Sequence, residues 1–201
     1  MKLLLENWRR YLTEQQGRRL SVFDFDDTIA QTGNFADAFD KETGEFVKRL
    51  DTEETELAKK TGTVGGTEIV LDFSDFDNEV RGPVGENLNI TRIIRDRLAD
   101  SSTQVMVMTA RAPESEEPIQ NYLNTLDPPI PTDNMIIKGV AGGNKGRWIG
   151  SYLLENPSFT EVEFYDDQDK NINNVLAAAA KIPNITFSVY KVVHGEIKAV
   201  S

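Results

Sequence analysis

An α/β fold, a parallel sheet sandwiched by helices, is predicted by three observations. Short apolar runs of β type alternate with segments whose apolar residues recur at helical spacing. The links between them are short, as in strand–helix–strand units. Two of the apolar runs also stop abruptly at paired aspartates, at the strand ends where parallel sheets bind ligands.

Leu20 to Phe25 reads as a buried strand. Ile90, Ile93, Ile94 and Leu98 form a helical stripe, with Asn87 or Asn89 as its cap. Val105 to Met108 is a second strand, and Ser115 is placed to cap a helix carrying Ile119, Tyr122, Leu123 and Leu126. Met135 to Ile137 is a third strand. Asn144 then caps a helix with Trp148, Ile149, Tyr152 and Leu153 on one face. Val162 to Tyr165 is a fourth strand, followed by a stripe of Ile172, Val175, Leu176, Ala179 and Ala180. Ile185 to Tyr190 is a fifth, and His194-Gly195 turns the chain into a short terminal hairpin.

Residues 31–84 break the alternation. They carry the acidic runs 51–54 and 72–79 and the turn Gly65-Gly66. A structureless loop of roughly fifty residues is rare in a compact domain, so this stretch is expected to fold as a small module over one edge of the sheet.

Composition narrows the chemistry. The 201 residues hold no Cys and one His, which excludes disulfides, thiol nucleophiles, Cys-based zinc sites and poly-His metal centres. His194 reads as a hairpin residue. Against 33 Asp+Glu stand 22 Lys+Arg, a net charge of −11 that opposes passive adhesion to nucleic acid or anionic membrane. With 39% hydrophobic and 27% charged residues, the chain has the composition of a globular domain. The run Leu3-Leu4-Leu5 is too short for a membrane span or a signal peptide, which makes the cytoplasm the expected location.

The densest chemistry lies in Val22-Phe23-Asp24-Phe25-Asp26-Asp27-Thr28. A strand buried on both faces should be apolar throughout, yet this one ends in three carboxylates that are costly to desolvate. Asp24 and Asp26 point the same way as long as the backbone stays extended. Such a pair repels unless a cation lies between or one member is protonated. Magnesium suits the position, because it favours oxygen ligands and leaves room for water and phosphate. Phe164-Tyr165-Asp166-Asp167 repeats the pattern at a remote strand end. Thr109 and Arg111 follow the second strand, and Lys138 and Lys145 supply ammonium groups after the third, the complement a phosphoryl group needs. The Gly-rich stretch before Lys145 is not a P-loop, since Asn144 and Gly146 stand where that loop requires Gly and Ser or Thr.

Together these residues resemble the haloacid dehalogenase (HAD) superfamily of phosphohydrolases. Asp24-Phe25-Asp26-Asp27-Thr28 is similar to its first motif, Asp-x-Asp-x-Thr; Thr109 to the second; Lys145, with Lys138 as the other candidate, to the third; and Asp166-Asp167 to the acidic fourth. The resemblance implies a three-layer, Rossmann-like HAD core over residues 18–30 and 85–201, with residues 31–84 as a cap inserted between the first and second motifs. It implies that Asp24 is the nucleophile and Asp26 the acid/base. Thr109 would hydrogen-bond the phosphoryl group, Lys145 would balance charge, and Arg111 and Lys138 would bind substrate. Mg2+ would be held by Asp24, Asp167 and the main-chain carbonyl of Asp26, with Asp166 in support.

The Phe-Tyr-Asp-Asp and Thr-Ala-Arg versions of these motifs further resemble phosphatase domains of polynucleotide kinase-phosphatases and phage HAD-like proteins, and Asp72 to Phe76 resembles part of the insert in those phage relatives. Residues 1–17, with Leu4, Trp8, Tyr11 and Leu12 at helical spacing, read as an amphipathic leader. Leu12-Thr13-Glu14 looks like the cleavage tripeptide of T4-type phage capsid-targeting leaders, which would place the protein in a virion interior. Three functions follow as expectations: a magnesium-dependent phosphatase for a small phosphorylated substrate, a phosphatase for nucleic-acid ends, or a virion-associated protein that keeps the fold mainly for binding. The acidic insert disfavours long polyanions.

Overall fold

The computed structural model describes residues 17–81 and 85–200. The expected leader helix, its cleavage point after Glu14, and Val84 at the end of the insert lie outside the described residues.

The chain is a mixed α/β fold with a mainly parallel sheet at its centre. Its strands are β1 (Arg18–Phe23), β2 (Ala30–Gln31), β3 (Ala36–Asp40), β4 (Phe46–Leu50), β5 (Thr63–Val64), β6 (Thr67–Asp72), β7 (Gly85–Glu86), β8 (Thr103–Thr109), β9 (Met135–Gly139), β10 (Phe159–Asp166), β11 (Thr186–Val193) and β12 (Glu196–Ala199). The helices are α1 (Thr52–Thr61), α2 (Ser74–Asn78), α3 (Leu88–Ala99), α4 (Glu116–Thr125), α5 (Lys145–Glu155) and α6 (Asp169–Ala179). The central sheet runs β12-β11-β10-β1-β8-β9, all parallel except the edge strand β12, which returns from β11 through the turn at His194-Gly195.

Strand alternation sorts the apolar side chains onto two faces. Phe23, Val105, Val107 and Tyr165 meet Ile90 and Ile94 of α3 and Ile119 and Leu123 of α4. On the other face Leu20, Val22, Met106 and Phe164 meet Ile149 and Leu153 of α5 and Ile172 and Val175 of α6. Fully burying each such side chain is worth about 1.5–3 kcal/mol. Phe23, Tyr165 and Tyr190, opposite one another in register, stack in a row with ring centroids 4.7 and 4.6 Å apart. That row fixes the alignment of β1, β10 and β11 just below the carboxyl edge of the sheet.

The helix starts are read from side-chain caps. Asn87 Oδ1 accepts from the backbone of Asn89 and Ile90, and Asn144 Oδ1 from Arg147. Ser115 differs from its expected role. A 3-10 turn, Pro113–Ser115, precedes α4, and the Ser115 hydroxyl donates back to the Ala112 carbonyl (2.7 Å) instead of capping the helix. Pro113 starts that turn one residue after the strand-exit loop, which consumes the serine before the helix proper begins.

Residues 36–72 form a second sheet, β4-β3-β6-β5, entirely antiparallel, with Ala38, Leu50 and Ala58 of α1 at its small core. The chain leaves the central domain on β2 and re-enters on β7, and these two strands pair antiparallel like a stem. Part of the acidic run at 51–54 is a capping box: Asp51 accepts from Glu54 N while the Glu54 side chain reaches back to Asp51 N. Gly65 and Gly66, at φ 59° and 89°, make the two-residue turn between β5 and β6, a conformation open to glycine on both counts. Among the described residues no helix is long and apolar enough to cross a membrane.

Candidate functional site

From β1 the chain builds outward through β8 and β9 on one side, then returns to lay β10 and β11 on the other. The order therefore reverses between β1 and β10, and the carboxyl ends of those two strands flank a crevice where such sheets take ligands. Register does the rest. With Phe23 opposite Tyr165, the next residues, Asp24 and Asp166, stand side by side.

Asp24, Asp166 and Asp167 each offer a carboxylate oxygen within 4.8 Å of the others. Lys145, in the first turn of α5 and 1% exposed, reaches into this group. Its ammonium donates to Asp24 Oδ1 and, at 2.8 Å, to Asp166 Oδ2. A close approach of α5 to α6 makes that reach possible: a Cβ on Gly146 would lie 2.1 Å from the Asn174 carbonyl, so only glycine fits beside Lys145. Asp166 is fully satisfied. It accepts from Lys145, from the Gln168 backbone (2.8 Å) and from Asn171 Nδ2 (3.1 Å). Asp167 is not: its Oδ1 is buried without a hydrogen-bond partner.

The charges do not balance. Three carboxylates against one ammonium leave two uncompensated negative charges when all are ionised. Burial pushes the Asp24 carboxyl well above the usual range; Lys145 pulls it down, and Asp166, Asp167 and Asp26 push it further up. Burial, Asp166 and Asp27 raise Asp167 to about 7, against smaller lowering by a backbone N–H and the Asp24 side chain. Burial opposes the charge on Lys145, but Asp24 and Asp166 outweigh it and hold the ammonium protonated above its ordinary range. A divalent cation fits this donor set in charge, in hard oxygen chemistry and in the orphaned oxygen of Asp167.

Asp26 behaves differently from expectation. β1 ends at Phe23, Phe25 lies in a bend, and Asp27 takes φ 58°, so the two-residue rule of an extended strand no longer applies. The side chain of Asp26 is outside the carboxylate cluster and faces a guanidinium. Arg111 Nη2 donates to Asp26 Oδ1 (2.6 Å) and Nε to Oδ2 (2.9 Å), a bidentate pair. The Thr32 hydroxyl donates to Asp26 Oδ1 (3.1 Å), and the Thr109 hydroxyl lies 3.4 Å from Oδ2. Thr109 is also held from below, accepting from Arg111 N at 3.1 Å.

The two residues expected to bind substrate are both engaged elsewhere. The side chain of Arg111 is 2% exposed and spends its donors on Asp26, Thr32, Asn34 and the Phe76 carbonyl. Lys138 pairs with Glu116 at 2.9 Å. Of the two lysines left open by the sequence, it is Lys145 that the fold brings to Asp24.

No protein-family model and no curated protein sequence matches this chain. Among solved structures it is similar to the HAD domain of effector protein Lem4 from Legionella pneumophila, at 12% identity and a TM-score of 0.49, over 87% of this chain and 85% of that one. A likeness of that degree says nothing about activity.

Several residues around the site escape a reading of the sequence alone. Asn171 sits five positions past Asp166 in the first turn of α6, a short amide on an otherwise apolar face, and that interruption is the signal that could have found it. Asn34 and Thr32 reach Arg111 from the far side of a long insertion, and no local pattern announces them.

Proposed function

We propose that the protein is a magnesium-dependent phosphatase of HAD type that hydrolyses a phosphomonoester through an aspartyl-phosphate on Asp24. One observation carries this reading: Asp24, Asp166 and Asp167 converge from two strand ends with a surplus of two negative charges and a buried ammonium on the nucleophile candidate. In it the central sheet with helices on both faces is a Rossmann-like three-layer core, and residues 31–84 are its cap. Asp24, Asp167 and the Asp26 carbonyl would hold Mg2+, with Asp166 in support. When bound, the ion supplies charge neutralisation for the phosphoryl oxygens.

The chain's own residues divide the work as follows. An Asp24 oxygen attacks phosphorus in line, the P–O bond to the leaving group breaks, and a proton passes to the departing oxygen. Water then attacks the aspartyl-phosphate, gives up a proton, and inorganic phosphate leaves with Asp24 regenerated. Asp26 handles both protons. Each of its oxygens accepts one bond from Arg111 and a second from a hydroxyl, Thr32 on Oδ1 and Thr109 on Oδ2, so proton transfer requires one hydroxyl bond to give way to the substrate's. Thr109 orients a phosphoryl oxygen, and Lys145 offsets charge on Asp24 and in the transition state. Arg111, Lys138 and Lys145 are all paired with carboxylates, Lys145 with Asp24 itself, so none of the three is free to hold the further phosphates of a polyanion, which favours a small monoester.

The test is phosphate release from a panel of aryl phosphates, sugar phosphates, nucleotides and 3′- or 5′-phosphorylated oligonucleotides, with and without magnesium. Release is expected to require magnesium and to fall at least ~1000-fold in Asp24→Asn, the scale of losing a covalent nucleophile. Release by Asp24→Asn at the wild-type rate would refute the assignment.

A further inference from the structure

Arg111 stands where a phosphate-binding cation would be expected, one residue beyond Ala110 at the exit of β8, yet its surroundings are those of a structural joint. Its guanidinium lies over the rings of both Phe25 and Phe76, 5.3 and 5.0 Å from their centroids. One edge grips both oxygens of Asp26. The remaining donors cross to the insert: Nη1 to the Phe76 carbonyl (2.7 Å) and Nη2 to Asn34 Oδ1 (3.0 Å). A ligand phosphate would have to displace these bonds in a site that is almost closed to solvent, at the cost of desolvated, unpaired groups.

Asn34 makes the joint two-sided. It is 4% exposed and links the two ends of the insert. Its Nδ2 donates to the Asp75 carbonyl (2.9 Å), Asp75 Oδ2 (3.0 Å) and the Glu79 carbonyl (3.0 Å), while its Oδ1 also accepts from Arg81 N (3.3 Å). The outgoing segment between β2 and β3, the returning helix α2 and the acid/base candidate of the core thus meet on two side chains.

We propose that Arg111 is a positioning residue and not a substrate ligand: it fixes the Asp26 carboxylate, and Asn34 with the Phe76 carbonyl makes that orientation depend on the insert being docked. The proposal rests on the phosphatase reading for the role of Asp26. Asn34 then influences turnover without touching Asp26, substrate or cation, and it does so through Arg111. The insert therefore contributes to proton transfer as well as covering the site.

The experiment is a double-mutant analysis of kcat and KM with an activated aryl phosphate, whose leaving group needs little protonation, so that Asp26→Asn keeps measurable turnover. Arg111→Lys, which keeps the charge but loses the fork, and Asn34→Ala should each lower kcat by about 10- to 100-fold with KM changed by less than about 3-fold, the scale of a misplaced catalytic group. In the Asp26→Asn background both changes should cost less than about 2-fold, because there is no longer an acid/base to position. A rise in KM with kcat preserved would make Arg111 a substrate ligand and overturn the proposal. Equal losses with and without Asp26 would reduce both residues to scaffold and overturn it as well. A wild-type protein that releases no phosphate would defeat the phosphatase reading instead. Amide exchange would still read the joint: Asn34→Ala and Arg111→Lys should each speed exchange across 74–79, and unchanged exchange would refute the coupling to the insert.

Discussion

Two ion pairs are built from the residues on either side of Phe25 in the chain. Asp24 faces Lys145 on one side, and Asp26 faces Arg111 on the other. The second pair is saturated: one carboxylate, one guanidinium, and donors shared out among Thr32, Asn34 and Phe76. The first is overdrawn: Asp166 shares the same ammonium, Asp167 crowds the two carboxylates, and one buried oxygen is left unpaired. Saturation is what a fold needs to hold a joint. Uncompensated charge in a crevice is what marks a candidate binding site.

Breaking the overdrawn pair should produce the largest effect on stability. Lys145→Met leaves buried carboxylates without their ammonium and should cost about 3–5 kcal/mol in metal-free protein, measured from denaturant midpoints. Magnesium should restore part of that loss, whereas the wild type should gain less from it.

The opposite change sharpens the contrast. Asp167→Asn removes one of the crowding charges and should stabilise metal-free protein by about 1–2 kcal/mol near neutral pH while abolishing the thermal response to magnesium. A destabilised variant would mean that Asp167 is structurally supported after all.

The same imbalance sets a pH dependence. Asp24 and Asp167 have carboxyls raised above their ordinary value of 3.8, Asp167 to about 7, so the folded chain binds their protons more tightly than the unfolded chain does. Both contributions to stability are fully present below the ordinary carboxyl value; that of Asp167 is lost as pH rises through about 7, and that of Asp24 as pH rises through its own raised range. The magnesium-induced rise in Tm should accordingly be larger at about pH 8 than at about pH 5. A response that is flat across this range would contradict the charge argument.

Smaller effects are expected from geometry. Gly146→Ala forces a methyl against the Asn174 carbonyl and should cost about 1–3 kcal/mol, as overpacking does, by separating α5 from α6. Because Lys145 is the neighbouring residue, activity should fall further than in a control of equal stability loss elsewhere, such as Leu153→Ala on the same helix.

Much of the central sheet is legible in the sequence, because its strands carry short apolar runs, the helices packed on them carry apolar stripes, and two of those helices start at asparagine caps. The converging aspartates are legible for the same reason: carboxylates that end a buried strand have no bland explanation twice over. What escapes is whatever depends on a backbone departing from regular geometry or on a partner far along the chain. Asp26 turns away from Asp24 because the strand stops one residue before Asp24. Arg111 looks like a free phosphate ligand until Asn34 and Phe76, which lie across the insertion, are seen to occupy it. The acidic run at 51–54 hides a capping box, whose Asp-x-x-Glu spacing was there to be read.

The most direct measurement is chemical trapping of the covalent state. Protein mixed with magnesium and an aryl phosphate, quenched and reduced with borohydride, should show the reduction product of an aspartyl-phosphate at position 24 by peptide mass spectrometry, and no such product when magnesium is withheld. Phosphate release with Asp24 unmodified, or a phosphoryl group found on another side chain, would contradict the account.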